Sequence, residues 1–554
     1  MQLLGRASAR LGRFAEAREI YARLGTRGLE ADDYDLLGQA LIRAGQFESA
    51  ERAWQSALDA DPDRGETLFH LAQLALARGQ TFTGVRAAQR LARQPGWEAR
   101  GDLLLGMIRA SDHDPVAAAL VLRRALWRDP QVRLESLPRF AAQELLARTL
   151  LQTRHPNEAR EVLQAILADG PNREAAWLLS RAHLQAGSPA EAVAALALAE
   201  TYRAEHPTEH EPSQFVGEAE CATCHREIYR RTLASRHART LLRGTDLSHL
   251  PLPDRPVADP IDPKASHTLK RIGSQVQFET RVGSRIFRAV VDYALGAPDR
   301  YTSLIGRDEQ GRPRTLRLSS YHNSSQAGWD GTKNLLARPA RPEDFLGETF
   351  DSSEGASECL TCHATTARSV REGSGPEALD KAIGCERCHG PGGLHLAAIA
   401  SRFPDPAIAT PAGTPAAGIN DVCGSCHSQH FLDMPTSRTD PKWARFPGST
   451  LPWSRCSTES GGALNCVTCH DPHRDAEASP AYYEAKCLSC HVTASTAANA
   501  HASQTEGAFR RPCPISPTRD CLRCHMPKVR YQQMHIDFTD HYIRSPETKD
   551  QAWR

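Results

Sequence analysis

Cys385-Glu386-Arg387-Cys388-His389, continued by Gly390-Pro391-Gly392-Gly393-Leu394-His395, is the stretch on which the reading of this chain turns. Its first five residues follow the pattern Cys-x-x-Cys-His. The same pattern recurs at Cys221–His225, Cys359–His363, Cys423–His427, Cys466–His470, Cys487–His491 and Cys521–His525. With 16 Cys and 23 His among 554 residues, residue frequencies alone give on the order of 0.02 such pentapeptides. Seven copies are therefore selected chemistry.

Two thiols three positions apart reach the two vinyl-derived carbons of one porphyrin edge as thioethers. The histidine after the second Cys then falls on the proximal face of the iron. A zinc site needs paired ligand sets and gains nothing from an invariable following His, and a disulfide scaffold explains neither spacing nor histidine. The expectation is seven covalently bound c-type haems. The thioether residues are Cys221, Cys224, Cys359, Cys362, Cys385, Cys388, Cys423, Cys426, Cys466, Cys469, Cys487, Cys490, Cys521 and Cys524. The proximal iron ligands are His225, His363, His389, His427, His470, His491 and His525.

Each iron has a sixth position. Beyond the motifs and His210 lie His237, His249, His267, His322, His395, His430, His473, His501, His535 and His541, against only Met434, Met526 and Met534. Bis-histidine, low-potential haems are expected to predominate, because His/Met ligation raises the potential. Local setting selects His237, His395, His473, His535 and His541 as distal ligands, with His322 and His430 as further candidates. A histidine only a few residues past its own proximal ligand cannot swing across the macrocycle, so it is assigned to a neighbouring haem, which interlocks the haems. His249, His267 and His501 are read as residues of polar loops and not as ligands. Cys456 and Cys513 belong to no motif; they could pair outside the cytoplasm, act independently, or ligate iron.

After the first motif and the Pro/Asp-rich loop Pro251–Pro263, the period changes to two. Val276, Phe278, Thr280 and Val282 alternate with polar residues, Gly283-Ser284 makes a turn, and Ile286–Tyr293 follows. Tyr301–Gly306 and Thr315–Ser320 flank Asp308-Glu309-Gln310-Gly311 in the same way. A small antiparallel β insert over about 267–320 is expected. From about residue 350 onward the chain is rich in Gly, Pro, Ser and Thr, so the haems supply the apolar bodies, at roughly 50 residues each.

The first two hundred residues contain no cysteine. Ala31–Arg64 reads as a helix–turn–helix unit of 34 residues: Tyr34, Leu37, Gly38 and Leu41 mark one helix, Ala50, Trp54 and Ala57 the next, and Pro62 closes it. The pattern recurs through Gly106, Ala118, Leu122 and Pro130, then Leu146, Ala159 and Pro171, then Trp177 and Leu184. It resembles the tetratricopeptide repeat, in about six units. The six histidines of this part and its linker (His70, His113, His155, His183, His206, His210) are read as surface or loop residues. Pro207–Pro212 reads as the linker. The expected architecture is mainly α: a solenoid over residues 1–206 and a heptahaem cytochrome c domain of short helices and loops over 207–554.

Phe215-Val216-Gly217 before Cys221, Ser235-Arg236-His237-Ala238, Cys-Glu-x-Cys-His-Gly-Pro-Gly from Cys385 and Cys-x-x-Cys-His-Asp-Pro-His from Cys466 carry a further resemblance. Together they resemble the multihaem cytochromes related to the tetrahaem cytochrome of ammonia oxidisers and to hydroxylamine oxidoreductase. The whole chain is similar to bacterial proteins that fuse tetratricopeptide repeats to such a cytochrome. The resemblance implies stacked haem pairs, export and a redox role.

Lys+Arg (67) and Asp+Glu (66) nearly cancel, so no nucleic-acid partner is implied. Seven haems would add about fourteen propionates, which Arg side chains can pair. No stretch reaches the roughly 18–20 apolar residues of a transmembrane helix. The first residues lack signal-peptide order, while c-type haem is attached outside the cytoplasm. The expectation is a periplasmic or extracellular protein whose sequence here starts late, within a repeat. The leading functional reading is electron transfer between redox partner proteins, with a partner protein or peptide docked on the repeats. A catalyst acting on a small nitrogen or sulfur compound at a five-coordinate haem is the rival, and no Cys-x-x-Cys-Lys is present. A structural subunit of a larger redox assembly, an oligomer or a filament, is the third.

Overall fold

The computed structural model describes residues 1–25, 28–322, 327–332, 335, 337–349, 355–366, 382–411, 416–428, 437–491, 513–532 and 535–545. About half of the chain is helical.

The N-terminal part is a tetratricopeptide-type solenoid. Its helices pair as α1 (Gln2–Arg10) with α2 (Phe14–Leu24), α3 (Ala31–Arg43) with α4 (Phe47–Ala60), and α5 (Gly65–Ala77) with α6 (Thr81–Leu91). Then come α7 (Glu98–Ser111) with α8 (Pro115–Arg128), α9 (Ala141–Gln152) with α10 (Pro156–Asp169), and α11 (Arg173–Gln185) with α12 (Pro189–Leu198). Small residues set the spacing within a pair. A Cβ added to Gly38 would lie 2.3 Å from Trp54 Nε1, and one on Gly106 would lie 2.6 Å from Leu122 Cγ. Trp54 uses the closeness to donate its indole N–H to the Asp35 carbonyl at 3.2 Å. One apolar core runs unbroken from Leu58 in α4 to Tyr202 beyond α12, the continuous core of a stacked repeat.

Pro207–Pro212 is no free tether, although its polar, proline-punctuated composition reads as one. Glu211 is fully buried and takes two bonds from the buried Arg181 of α11, Nε and Nη2 each at 2.9 Å. Arg181 Nη2 also reaches Asp405 at 2.9 Å. Beside this ion cluster, Leu184 and Ala192 of the last helix pair pack with Leu394, Ala398, Phe403 and Ala407. Helix Gly393–Ser401 thereby covers the end of the solenoid. Composition could not reveal this, because Arg181 lies 30 positions from Glu211 and 224 from Asp405.

The β region is larger than the expected small insert. Nine strands form one antiparallel, nearly closed, barrel-like sheet. They are β1 (Leu241–Arg243), β2 (Val257–Ala258), β3 (Ala265–Ile272), β4 (Gln275–Val282), β5 (Arg285–Leu295), β6 (Tyr301–Asp308), β7 (Pro313–His322), β8 (Ala327–Gly331) and β9 (Gly347–Thr349). Strands β2 to β8 lie in sequence order; β1 pairs β5, and β9 pairs β7. The two hairpins with alternating residues, β4–β5 and β6–β7, are its centre. The added strands at 241–258 and 327–349 are two to five residues long, too short for a period to show. Phe278, Val276, Leu304, Leu316 and Leu318 fill its apolar interior.

His267 is not a loop residue. It sits in β3, fully buried, with Nδ1 2.9 Å from Thr280 Oγ1 and Nε2 3.1 Å from Asp259 Oδ2. Arg317 pairs with the same carboxylate. The sheet carries the second motif on its flank, where Leu241, Leu295 and Ile305 pack with Leu360, Ala364 and Ala382. Beyond it the described chain is short helices and loops, closed by a hairpin of Lys528–Tyr531 and Ile536–Thr539.

Candidate metal centres

Each motif occupies about one helical turn, either alone or at the end of a longer helix such as Gly355–His363 or Ala416–His427. Residues i and i+3 share a helix face, so the turn sets both thiols side by side with the histidine next to them. The turn is closed by the histidine itself: its N–H donates to the first cysteine's carbonyl at 2.8 Å for His225, 3.0 Å for His470 and 2.9 Å for His491. In the fifth motif Asn465 caps the turn by accepting from Thr468 N. Asn420 Oδ1, from the fourth motif's helix, accepts from Cys466 N at 3.1 Å.

Three histidine pairs approach each other across the fold at one spacing. Ring centres are 6.2 Å apart for His237 and His427, for His389 and His473, and for His470 and His541. The His389 and His473 planes are 14° from parallel. Two imidazoles bound trans to one metal at about 2 Å per bond have ring centres roughly 6 Å apart. In every pair one histidine is a motif residue and the other comes from a different part of the chain.

Orientation follows from the second ring nitrogen. His363 Nδ1 bonds the Thr240 carbonyl at 3.0 Å, His389 that of Ala409 at 3.0 Å, His525 that of Arg544 at 2.9 Å and His541 that of Thr539 at 2.9 Å. A carbonyl only accepts, so Nδ1 carries the proton and Nε2 keeps its lone pair for a metal. Burial pushes the imidazolium of His363, His389, His427 and His470 down, and that of His541 to about 4. These rings are neutral at pH 7, the form that ligates.

The remaining candidates differ. His395 Nδ1 bonds the Pro406 carbonyl at 2.6 Å, and the residue is half-buried on helix Gly393–Ser401. His535 sits in the closing hairpin's turn, with Nε2 3.2 Å from Asp330 Oδ2 and its ring edge-on to Tyr321. His322 Nε2 is 2.8 Å from Ser320 Oγ. His430 and His501 lie outside the described residues. His210, read from sequence as a linker residue, leans on Gly390 of the third motif's loop, where an added Cβ would meet its ring at 2.8 Å.

The motifs also touch one another. The Cys221 and Cys385 thiols are hydrogen-bonded, as are Cys362 with Cys426 and Cys423 with Cys466. In each pair the sharing raises one thiol's pKa and lowers the other's. Cys388, pushed up to about 11 by burial, lies near Cys423, and Cys487 lies near Cys521 and Cys469. Cys456 is on helix Arg455–Glu459 near Cys490; it is not bonded to Cys513.

Two acidic residues that the motif pattern did not single out fasten these parts. Glu386, inside the third motif and 3 % exposed, accepts the N–H groups of Val216 and Gly392 on Oε1 and of Gly217 on Oε2, at 2.8–2.9 Å. It ties the approach to the first motif onto the third. Asp475 Oδ1 accepts Arg236 N at 2.6 Å, joining the loop of His473 to that of His237. A charged residue inside a motif and an Asp a few residues past one are the only sequence signals these left.

Residues 36–82 and 145–209 match the tetratricopeptide repeat family. Residues 322–390 match the family "cytochrome c554 and c-prime". No curated protein matches the chain. Among solved structures, the MamA protein is similar at 20% identity over 32% of this chain and 94% of its own, with TM-score 0.28. PilF of Pseudomonas aeruginosa is similar at 15% over 37% and 95%, TM-score 0.30. YrrB, a tetratricopeptide protein with an unusual peptide-binding site, is similar at 15% over 35% and 93%, TM-score 0.29. Among the described residues no helix is long and apolar enough to cross a membrane.

Proposed function

We propose that the chain is an exported heptahaem c-type cytochrome that passes electrons between redox partners, with its repeats docking a partner protein. The carrying observation is the histidine spacing: three motif histidines each face a histidine from elsewhere at 6.2 Å. That spacing fits haem iron held on both sides, and the Nδ1–carbonyl bonds of His389 and His541 leave their Nε2 lone pairs free for it. When bound, haem supplies reversible one-electron chemistry at the iron. Within this reading His237 serves the iron of the fourth motif, His473 that of the third and His541 that of the fifth. The group to which the motifs bear a resemblance, the multihaem cytochromes related to hydroxylamine oxidoreductase, accords with it. So does the cytochrome c554 match.

Within this reading the relay follows the proximity of the motif cysteines. Bonded or neighbouring thiols link the first motif to the third, the third to the fourth, the fourth to the fifth, the fifth to the sixth and the sixth to the seventh. The second motif joins at the fourth. Covalent haem is attached outside the cytoplasm, so this reading carries with it a periplasmic or extracellular location.

Haem quantified by pyridine haemochrome, with peptide masses across all seven motifs, tests the number. Low-temperature electron paramagnetic resonance of the oxidised protein tests the ligation. The relay reading expects seven low-spin haems; fewer than seven haem-bearing peptides would break it. One observation favours catalysis at an open haem instead: the Nε2 atoms of His322 and His535 are already engaged, by Ser320 and Asp330. A high-spin signal that shifts with nitrite, hydroxylamine or cyanide would decide for that reading.

A further inference from the structure

The histidines of the haem region do not all lean on the same kind of acceptor. His363, His389, His395, His525 and His541 direct Nδ1 at backbone carbonyls. His473 directs Nδ1 at a carboxylate. Asp471 Oδ1 lies 3.3 Å from His473 Nδ1 and accepts the His473 backbone N–H at 3.0 Å. The other oxygen, Asp471 Oδ2, faces Arg231 at 3.6 Å and Arg474 at 3.3 Å. The carboxylate is thus anchored from behind by two guanidinium groups while its front holds the ring and the backbone of one residue.

We propose that Asp471 is a positioning residue that fixes the His473 ring with Nε2 toward the iron of the third motif and strengthens it as an electron donor, making that haem the low-potential member of the chain. The inference rests on the assignment of His473 opposite His389. A carboxylate accepting the Nδ1 proton leaves more negative charge on the ring than a carbonyl does, and a more basic ligand stabilises the ferric over the ferrous state. Geometry adds selectivity. Asp475, four residues on, carries the same charge on the same loop, yet its contacts go to Arg236 N and to the Arg236 and Arg239 side chains, not to the His473 ring.

The test is a spectroelectrochemical titration of the full holoprotein with electron paramagnetic resonance at low temperature, on D471N, D475N and H473A. Asn keeps the size and the acceptor oxygen of Asp but removes the charge. D471N is expected to raise the midpoint of one haem by roughly tenfold in its oxidised-to-reduced ratio, about 59 mV for a one-electron couple. One low-spin signal should shift with it, with all haems retained. D475N should move that midpoint less. H473A should turn one haem high-spin.

An unshifted D471N alongside a high-spin H473A overturns the tuning role and leaves the ligand assignment standing. An equal shift in D475N also overturns it, since loop charge then suffices. If H473A keeps every haem low-spin, the ligand assignment fails and the inference falls with it.

Discussion

His470 and His541 stand 6.2 Å apart, ring centre to ring centre, although seventy-one positions separate them. His541 is held from behind by the Thr539 carbonyl at 2.9 Å, and the Ser454 hydroxyl donates to its own carbonyl at 3.1 Å. The last described segment of the chain is thereby pinned over the fifth motif.

Replacing His541 by Ala should therefore change one haem only. The expected outcome is one low-spin signal converted to high-spin in the oxidised protein, restored by added imidazole. Unchanged resonance spectra would remove His541 from the coordination scheme.

Gly38→Ala tests the solenoid's packing. The new methyl group would sit 2.3 Å from the Trp54 indole nitrogen, forcing the helices of one repeat apart. Overpacking of this kind costs about 1–3 kcal/mol. The helical signal in circular dichroism should be lost at a lower denaturant concentration, with haem content unchanged.

Arg181→Ala should loosen the join between repeats and haem region. The substitution leaves Asp405 without its buried counter-ion and Glu211 with only Arg203 at 3.8 Å, and removing one partner of a buried pair costs about 3–5 kcal/mol. Limited proteolysis is expected to cut near residues 207–217 in the variant and not in the parent protein.

The sheet should weaken in acid. Burial works against an ionised Asp259. Its bonds to His267, Arg317 and the N–H groups of Ile261 and Asp262 outweigh that and hold its carboxyl well below the usual range. A group whose pKa is depressed on folding adds stability above its unfolded value and loses it as pH falls through the folded one. Stability against denaturant should therefore decline below about pH 4, and D259N should flatten that decline.

The sequence disclosed chemistry better than contacts. The Cys-x-x-Cys-His turns could be read residue by residue because one helical turn contains everything that defines them. Gly38 and Trp54 were legible as markers of two helices in one repeat for the same reason, though not as a touching pair. By contrast, nothing local to His473 says that it faces His389. Nothing local to Glu211 says that Arg181 neutralises it, and a polar stretch between prolines looks the same whether it is loose or locked. His267 was misread because burial of a histidine depends on Asp259 and Thr280, brought to it by strand pairing. Short strands such as Val257–Ala258 carry too few residues to display alternation, so the sheet's edges were invisible.

Helix Gly393–Ser401, which covers the end of the solenoid, belongs to the same loop that leaves the third motif. The repeat array is therefore anchored to the Cys-x-x-Cys-His region through a solid shoulder, not hung from a string. Anything seated along the repeats is held at one distance and one angle from that motif. For a process whose rate falls steeply with separation, such a fixed mount makes reach a property of the architecture and not of chance encounter.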